Sequence, residues 1–304
     1  MSEYIKTTFL IMSDSHGHQL LSGPVTGHID VAIHCGDLTN ESKIEEFQKT
    51  LQYLQELKAD LKLVIGGNHD FTMDVPAFKK LVANAKQTLE PELVRKTYGD
   101  YGEIRNILSA NAAAANIIFL DEGSYEFRLR NGALLRVYAS PFTPSLSGDW
   151  GFQYHLNEGH HFEIPETVDV VITHGPPKGI LDYTDGRRAG CPNLFQAIAR
   201  AQPLLHCFGH IHECWGGKLV TWRSNMPSNS MPSHITHIDN SKSTVLSNIS
   251  RLEAARQTSD LACFSVDFDV TRSGSQTLFV NAALQGTSEI TQVPWVVNVP
   301  LPRV

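Results

Sequence analysis

The stretch that most constrains this chain is Val64-Ile65-Gly66-Gly67-Asn68-His69-Asp70. A short apolar run, Leu61 to Ile65, stops at two glycines and then delivers an amide, an imidazole and a carboxylate in consecutive positions. A β-branched run of this length reads as a buried strand, and glycine lets the backbone turn sharply behind it. The three polar side chains then stand at the carboxyl end of a strand, where open α/β sheets place their ligands. A single turn of this kind is a weak signal, because Asn, His and Asp also crowd ordinary turns.

The same grammar recurs four more times. Thr8 to Met12 ends at Ser13-Asp14-Ser15-His16-Gly17, and Val31 to His34 ends at Cys35-Gly36-Asp37. Val168 to Thr173 ends at His174-Gly175-Pro176-Pro177, and Leu204 to Phe208 ends at Gly209-His210-Ile211-His212. In extended backbone, residues two apart face the same side, so Asp14 with His16 and His210 with His212 are placed to act as pairs. These oxygen and imidazole donors, with no thiolate, suit Mn, Fe, Zn or Mg rather than a structural zinc, with Mn favoured. Asp14, His16, Asp37, Asn68, His174, His210 and His212 are too many ligands for one ion. They suit two ions sharing a bridging carboxylate. Two ions about 3.5–4 Å apart can clamp a phosphoryl oxygen and generate a hydroxide nucleophile.

The motifs also absorb part of an unusual excess of fourteen histidines. His34 and His206 read as strand residues, His155, His160 and His161 as polar-loop residues, and His18 as a turn residue near the first motif. Cys35 and Cys207 precede ligands by two or three positions and read as small buried residues.

Between the motifs the chain alternates strand and helix. Ile44, Phe47, Leu51, Leu54 and Leu57 recur at steps of three and four, a helix that Asn40 or Ser42 can cap. Phe78, Leu81 and Val82 mark another helix after Pro76. Ile117 to Leu120, Tyr125 to Leu129 and Leu134 to Ser140 read as short strands with turn signals such as Asn131-Gly132, which predicts antiparallel hairpins and a second sheet. Leu194 and Ile198 lie on a short helix. From about Ser224 to Ser259 the chain is rich in Ser, Asn and Thr, and reads as an insertion or long loop. Cys263 to Val270 alternates, with Phe264, Val266, Phe268 and Val270 on one face, and Thr277 to Asn281 and Trp295 to Val299 read as final strands. The simplest organisation is one α/β domain over residues 1–304.

Composition excludes several classes. A net charge of −7 argues against binding a nucleic-acid polymer. The segment Met1-Ser2-Glu3-Tyr4 lacks a basic leader, and Phe9 to Met12 is too short to span a membrane. Five cysteines without a CxxC pair fit reduced thiols. These features lead to the expectation of a cytoplasmic chain, away from membranes, with a small molecule as partner.

In this order, D-x-H, GD, GNH[DE], H and GHxH, the blocks from Asp14 to His212 resemble the calcineurin-like metallophosphoesterase superfamily. The resemblance implies a four-layer α/β/β/α sandwich of two mixed β-sheets flanked by helices. It implies one metal held by Asp14, His16, Asp37 and His212, and a second held by Asp37, Asn68, His174 and His210. It also implies that His69 faces the phosphate and the leaving oxygen as a general acid, oriented by Asp70. The second block, Gly36-Asp37-Leu38-Thr39-Asn40-Glu41, lacks the arginine of the GDxVDRG motif of the protein Ser/Thr phosphatases. Thr173-His174-Gly175-Pro176-Pro177, Arg188-Ala189-Gly190-Cys191 and Phe208-Gly209-His210-Ile211-His212-Glu213 look instead like the metallophosphoesterase-domain-containing subfamily, which is similar to class III cyclic nucleotide phosphodiesterases. The expected function is hydrolysis of a small (cyclic) nucleotide or similar phosphodiester by attack of a metal-bridging hydroxide. The alternatives are a phosphomonoesterase for a small metabolite and a non-catalytic binding module of the same fold. Arg188 is a candidate for phosphate or base contact and equally a solvated loop charge.

Overall fold

The computed structural model describes residues 3–19, 25, 27–85, 89–224, 231–257, 261–267, 276–286 and 289–304. Strand β1 (Tyr4–Met12) puts Phe9 and Ile11 on one face and Leu10 and Met12 on the other, all buried. Strand β2 (Val31–His34) lies parallel beside it. Helix α1 (Ile44–Glu56) then lays Phe47, Leu51 and Leu54 on the sheet. Neither Asn40 nor Ser42 caps α1. Lys43 stands at the cap position, the Glu46 carboxylate accepts the N–H groups of Asn40, Glu41 and Lys43, and Ser42 Oγ turns to Thr72.

Strand β3 (Leu61–Val64) follows, then α2 (Val75–Ala83), α3 (Pro91–Tyr98), α4 (Glu103–Ala112) and β4 (Ile117–Phe119). The sequence reading assigned no element to α3 or α4, and it grouped Ile117 to Leu120 with the hairpins of the second sheet. The structure corrects this: β4 pairs parallel with β3 at the edge of the first sheet. The three helices in between supply the long crossover that parallel pairing requires. Strands β5 (Gly123–Arg128) and β6 (Leu134–Ser140) do form an antiparallel hairpin around Asn131-Gly132.

Two short strands, β7 (Thr143–Ser145) and β8 (Gln153–His155), pair with each other. Strand β9 (Val170–Thr173) precedes a small hairpin of β10 (Tyr183–Thr184) and β11 (Arg187–Arg188), then α5 (Pro192–Ala201) and β12 (Leu205–Phe208). Strand β13 (Gly216–Thr221) leads to β14 (Thr244–Asn248) and α6 (Ile249–Arg256). The Ser224 to Ser259 stretch is therefore not loop throughout. β14 extends the second sheet beside β13, and Leu252 of α6 joins the core. The chain closes with β15 (Phe264–Asp267), β16 (Gln276–Asn281) and β17 (Trp295–Pro302). Phe268 and Val270 lie outside the described residues.

The first sheet runs β15-β17-β1-β2-β3-β4 and the second β14-β13-β16-β12-β9-β6-β5. Their inner faces meet in one apolar layer that includes Phe9, Ile11, Ile33, Leu135, Val137, Ile172, Cys207, Val280 and Trp295. Outside the first sheet, α1 and α4 cover Leu10, Met12 and Val64, and outside the second, α5 covers Val171, Phe208 and Phe279. This is the expected four-layer arrangement of two mixed sheets and flanking helices. Because the central strands are buried on both faces, they read as nearly continuous apolar runs. In each sheet the central strands are mutually parallel, β1, β2 and β3 in one and β9 and β12 in the other. Their carboxyl ends deliver all five motifs.

Candidate metal centre

The turn after β1 is tied to the turn after β2 by backbone bonds from Asp14 to Gly36 (2.9 Å) and from His16 to Asp37 (3.1 Å). Within the second sheet, the turns after β9 and β12 are tied by a bond from the Gly209 N–H to the His174 carbonyl, 2.9 Å, and the two sheets are tied by a bond from the Ser13 N–H to the Ala282 carbonyl, 3.0 Å. The turns approach so closely that side chains are excluded at two glycines. A Cβ on Gly67 would lie 2.3 Å from the Asp37 amide, and one on Gly209 1.9 Å from Asp14 Oδ2. Asp14, His16, Asp37 and His210 adopt left-handed backbone, with φ of 54°, 45°, 53° and 68°. Each such residue costs roughly 1–3 kcal/mol and persists only where its surroundings over-determine it.

Three groups of side chains converge here: Asp14, His16 and His212; His16, Asp37 and His69; Asp37, His174 and His210. Within each group the donor atoms lie within 4.8 Å of one another. Asn68 Oδ1 is 2.9 Å from His174 Nε2, so all seven sequence-derived ligand candidates are gathered in one place. Asp37 stands in two of the groups, as a bridging carboxylate must.

The hydrogen bonds fix how each ring is turned. His16 Nδ1 lies 3.1 Å from the Thr39 carbonyl, His174 Nδ1 2.9 Å from the Cys35 carbonyl and His212 Nδ1 3.4 Å from the Gly286 carbonyl. A carbonyl only accepts, so each Nδ1 donates, and each Nε2 is turned to the carboxylates. His174 Nε2 is 3.3 Å from Asp37 Oδ2, and His212 Nε2 is 3.2 Å from Asp14 Oδ1. His16 Nε2 is buried without a hydrogen-bond partner, 3.8 Å from Asp37 Oδ2. Imidazoles that give one nitrogen to a backbone carbonyl and offer the other to a shared point are the usual arrangement of metal ligands.

The electrostatics agree. Burial pushes the carboxyls of Asp14 and Asp37 up, but the imidazoles of His212 and His174 beside them outweigh it, and both are held well below the usual carboxylate range. Burial lowers His174 and His212 as well, yet the facing carboxylates raise each to about 9. The two carboxylates thus hold two protons on two imidazoles, positive charge that a divalent cation replaces on binding. Burial keeps His16 and His210 low, the latter at about 4, and so neutral as ligands. This donor set, with an orphaned imidazole nitrogen and no thiolate, fits divalent metal ions.

His69 lies at the mouth, half-buried. Its Nδ1 is 2.6 Å from the Asn40 carbonyl, its N–H donates to Asp37 Oδ1 at 2.8 Å, and its ring stands edge-on to His16 at 4.8 Å. The expectation that Asp70 orients His69 is not met. The Asp70 carboxylate is fully buried and accepts from the N–H groups of Leu38, Thr39 and Gly67 and from Thr39 Oγ1. It staples the turn after β2 to the turn after β3, and burial with the nearby Asp37 charge raises it to about 7. The group that orients His69 is a backbone carbonyl, which leaves no side-chain signature to read. Arg188 is committed elsewhere: its guanidinium pairs at 2.8 Å with the fully buried Asp182. Sequence reasoning also passed over Trp150, whose ring lies 4.2 Å from that of His69. A lone tryptophan in Gly148-Asp149-Trp150-Gly151 was the only signal available.

Residues 7–214 match the family model for calcineurin-like phosphoesterases. The human and mouse metallophosphoesterase domain-containing protein 1 are each 34% identical over 219 residues, covering 69% of this chain and 62% of theirs. A UPF0046 protein of Caenorhabditis elegans is 33% identical over 220 residues, covering 68% of this chain and 52% of its own. The chain thus aligns with less than two thirds of the length of these relatives. The matched span contains every block from Asp14 to His212, and the chain belongs to the calcineurin-like phosphoesterase family.

Proposed function

We propose that the protein is a phosphoric ester hydrolase that works with two divalent metal ions, and that its substrate is a small phosphodiester, such as a cyclic nucleotide. The family match supports a metal-dependent phosphoesterase. The observation that carries the reading is the turning of His16, His174 and His212, each with Nδ1 on a carbonyl and Nε2 toward Asp14 or Asp37. Asp14, His16, Asp37 and His212 would hold one ion, and Asp37, Asn68, His174 and His210 the other. Bound there, the ions supply Lewis acidity to the phosphoryl oxygens and make water nucleophilic at neutral pH. As water oxygen attacks phosphorus, the ester P–O bond breaks and the leaving oxygen needs a proton. His69 has its Nδ1–H on the Asn40 carbonyl, so Nε2 is the free nitrogen, and in the imidazolium form it would donate that proton and be left neutral.

Among the described residues, no helix is long and apolar enough to cross a membrane. The test is to load purified protein with Mn, count ions per chain and assay a panel of mono- and diesters. Two ions and faster diester hydrolysis are expected. One ion or none in active protein overturns the dinuclear reading, faster monoester turnover overturns the diester preference, and inertness toward every ester overturns the enzyme reading.

A further inference from the structure

Trp150 is 37% exposed, while its ring lies 4.2 Å from His69 at an interplanar angle of 35°. The loop that carries it is seated by several bonds. The Gly151 N–H donates to the Asn68 carbonyl at 3.0 Å, the Trp150 N–H to Gln153 Oε1 at 3.1 Å, and the Phe152 N–H to Asp74 Oδ2 at 2.8 Å. Gly151 presses on the chain beyond His69, where an added Cβ would lie 2.6 Å from Phe71 Cα. Trp150 is thus fixed to the same turn that carries Asn68 and His69, and the His69 ring contacts both His16 and Trp150. His69 therefore links Trp150 to His16 of the metal centre through two ring contacts. A large apolar ring held partly in water at that place is costly unless something covers it.

We propose that Trp150 determines specificity: its indole is a stacking shelf for a planar ring on the substrate, one ring beyond the phosphoryl position. The inference rests on the phosphoesterase reading and names the chemistry of the ester it prefers, a phosphoester whose alcohol carries an aromatic base. The indole is anchored by its backbone, so little conformational freedom is lost on stacking.

The test compares the Mn-loaded wild type with Trp150→Ala and Trp150→Phe on adenosine 2′,3′-cyclic phosphate and on glycerol 1,2-cyclic phosphate, which has no ring. The readout is the ratio of the two kcat/KM values, from which any common effect through His69 cancels. The wild type should favour the adenosine ester. Trp150→Ala should lower the ratio roughly 5- to 150-fold, the range of base–aromatic stacking, and Trp150→Phe should keep most of it. A wild-type ratio near one, or a ratio untouched by Trp150→Ala even as both rates fall, overturns the shelf. If the wild type hydrolyses neither ester, the diester preference of the proposed function fails separately. Equilibrium binding of adenosine 5′-monophosphate against ribose 5-phosphate then decides: a preference that Trp150→Ala removes supports the shelf, and any other result overturns it.

Discussion

Two fully buried carboxylates in this molecule, Asp37 and Asp182, have opposite surroundings. Asp182, at the base of the β10–β11 hairpin, accepts from the N–H groups of Gly179 (2.8 Å) and Gly190 (3.2 Å) and from Arg188 Nη1 (2.8 Å). Its charge is met by protein donors, including a permanent cation. Asp37 accepts one backbone N–H, from His69, and otherwise faces His16 and His174 across 3.8 and 3.3 Å. Imidazoles become cations only by taking up protons, and a metal ion displaces those protons. Burial of a carboxylate therefore says little about its role; the kind of neighbour decides it.

The largest expected effect separates these two centres. Asp37→Ala should lower metal content at both positions and cost activity well beyond the ~10–100-fold of a residue that only supports a ligand. Asp182→Ala should leave metal content intact and destabilise folding by about 1–3 kcal/mol, because buried N–H donors lose their acceptor. Elemental analysis and denaturant melts of the two variants read this directly. A metal-replete Asp37→Ala protein, or metal loss in Asp182→Ala, would break the comparison.

A second test asks whether every imidazole near Asp37 belongs with the ligands. His69 also gives Nδ1 to a carbonyl, yet it follows the ligand candidate Asn68 directly. His69→Ala should retain metal and lose ~10²–10⁴-fold in turnover for a diester with a poor alkoxide leaving group. An activated aryl ester, whose leaving group needs no proton, should lose far less. Loss of a metal ion, or equal loss on both esters, would move His69 into the ligand set.

The smallest effect concerns a buried histidine outside the centre. His206 is fully buried in β12, with Nε2 2.9 Å from Thr173 Oγ1. That hydroxyl donates to the Gly175 carbonyl at 2.7 Å, so it accepts from the imidazole. Burial depresses the folded pKa from 6.5 to about 3. As pH falls below 6.5 the unfolded chain takes up the proton first, so stability held above 6.5 is lost until about 3. The slope is about 1.36 kcal/mol per pH unit. Denaturant melts of wild type and His206→Asn between about pH 7 and about pH 5 should differ in pH dependence by about that slope. Parallel curves would place His206 with the charge-compensated imidazoles of the centre.

Much of the fold was legible because its signals are local. β2 was read with its observed bounds, Val31–His34, and α1 to within a residue, since strand and helix periodicities lie within one element. What was misread depended on partners far along the chain. Ile117–Phe119 has the composition of a hairpin strand, but its partner is Leu61–Val64, beyond three helices. Thr244–Asn248 carries little apolar periodicity because it is an edge strand of the second sheet. α3 buries no residue, so no apolar stripe marked it.

The sequence by itself determined which residues gather at the centre. Each of Asp14, His16, Asp37, Asn68, His174, His210 and His212 stands just beyond a central parallel strand, and parallel strands deliver such turns to one edge. Only the tertiary structure decided what each neighbour does. Asp70 adjoins His69 in sequence yet bonds to Leu38, Thr39 and Gly67, and Asn40 turns His69 with a carbonyl that every residue possesses. Arg188 pairs with Asp182, and Trp150 reaches His69 across about eighty residues of chain. Strand periodicity is written in adjacent residues, whereas the partner of a buried charge or an exposed ring is chosen by which turns the packed sheets bring together.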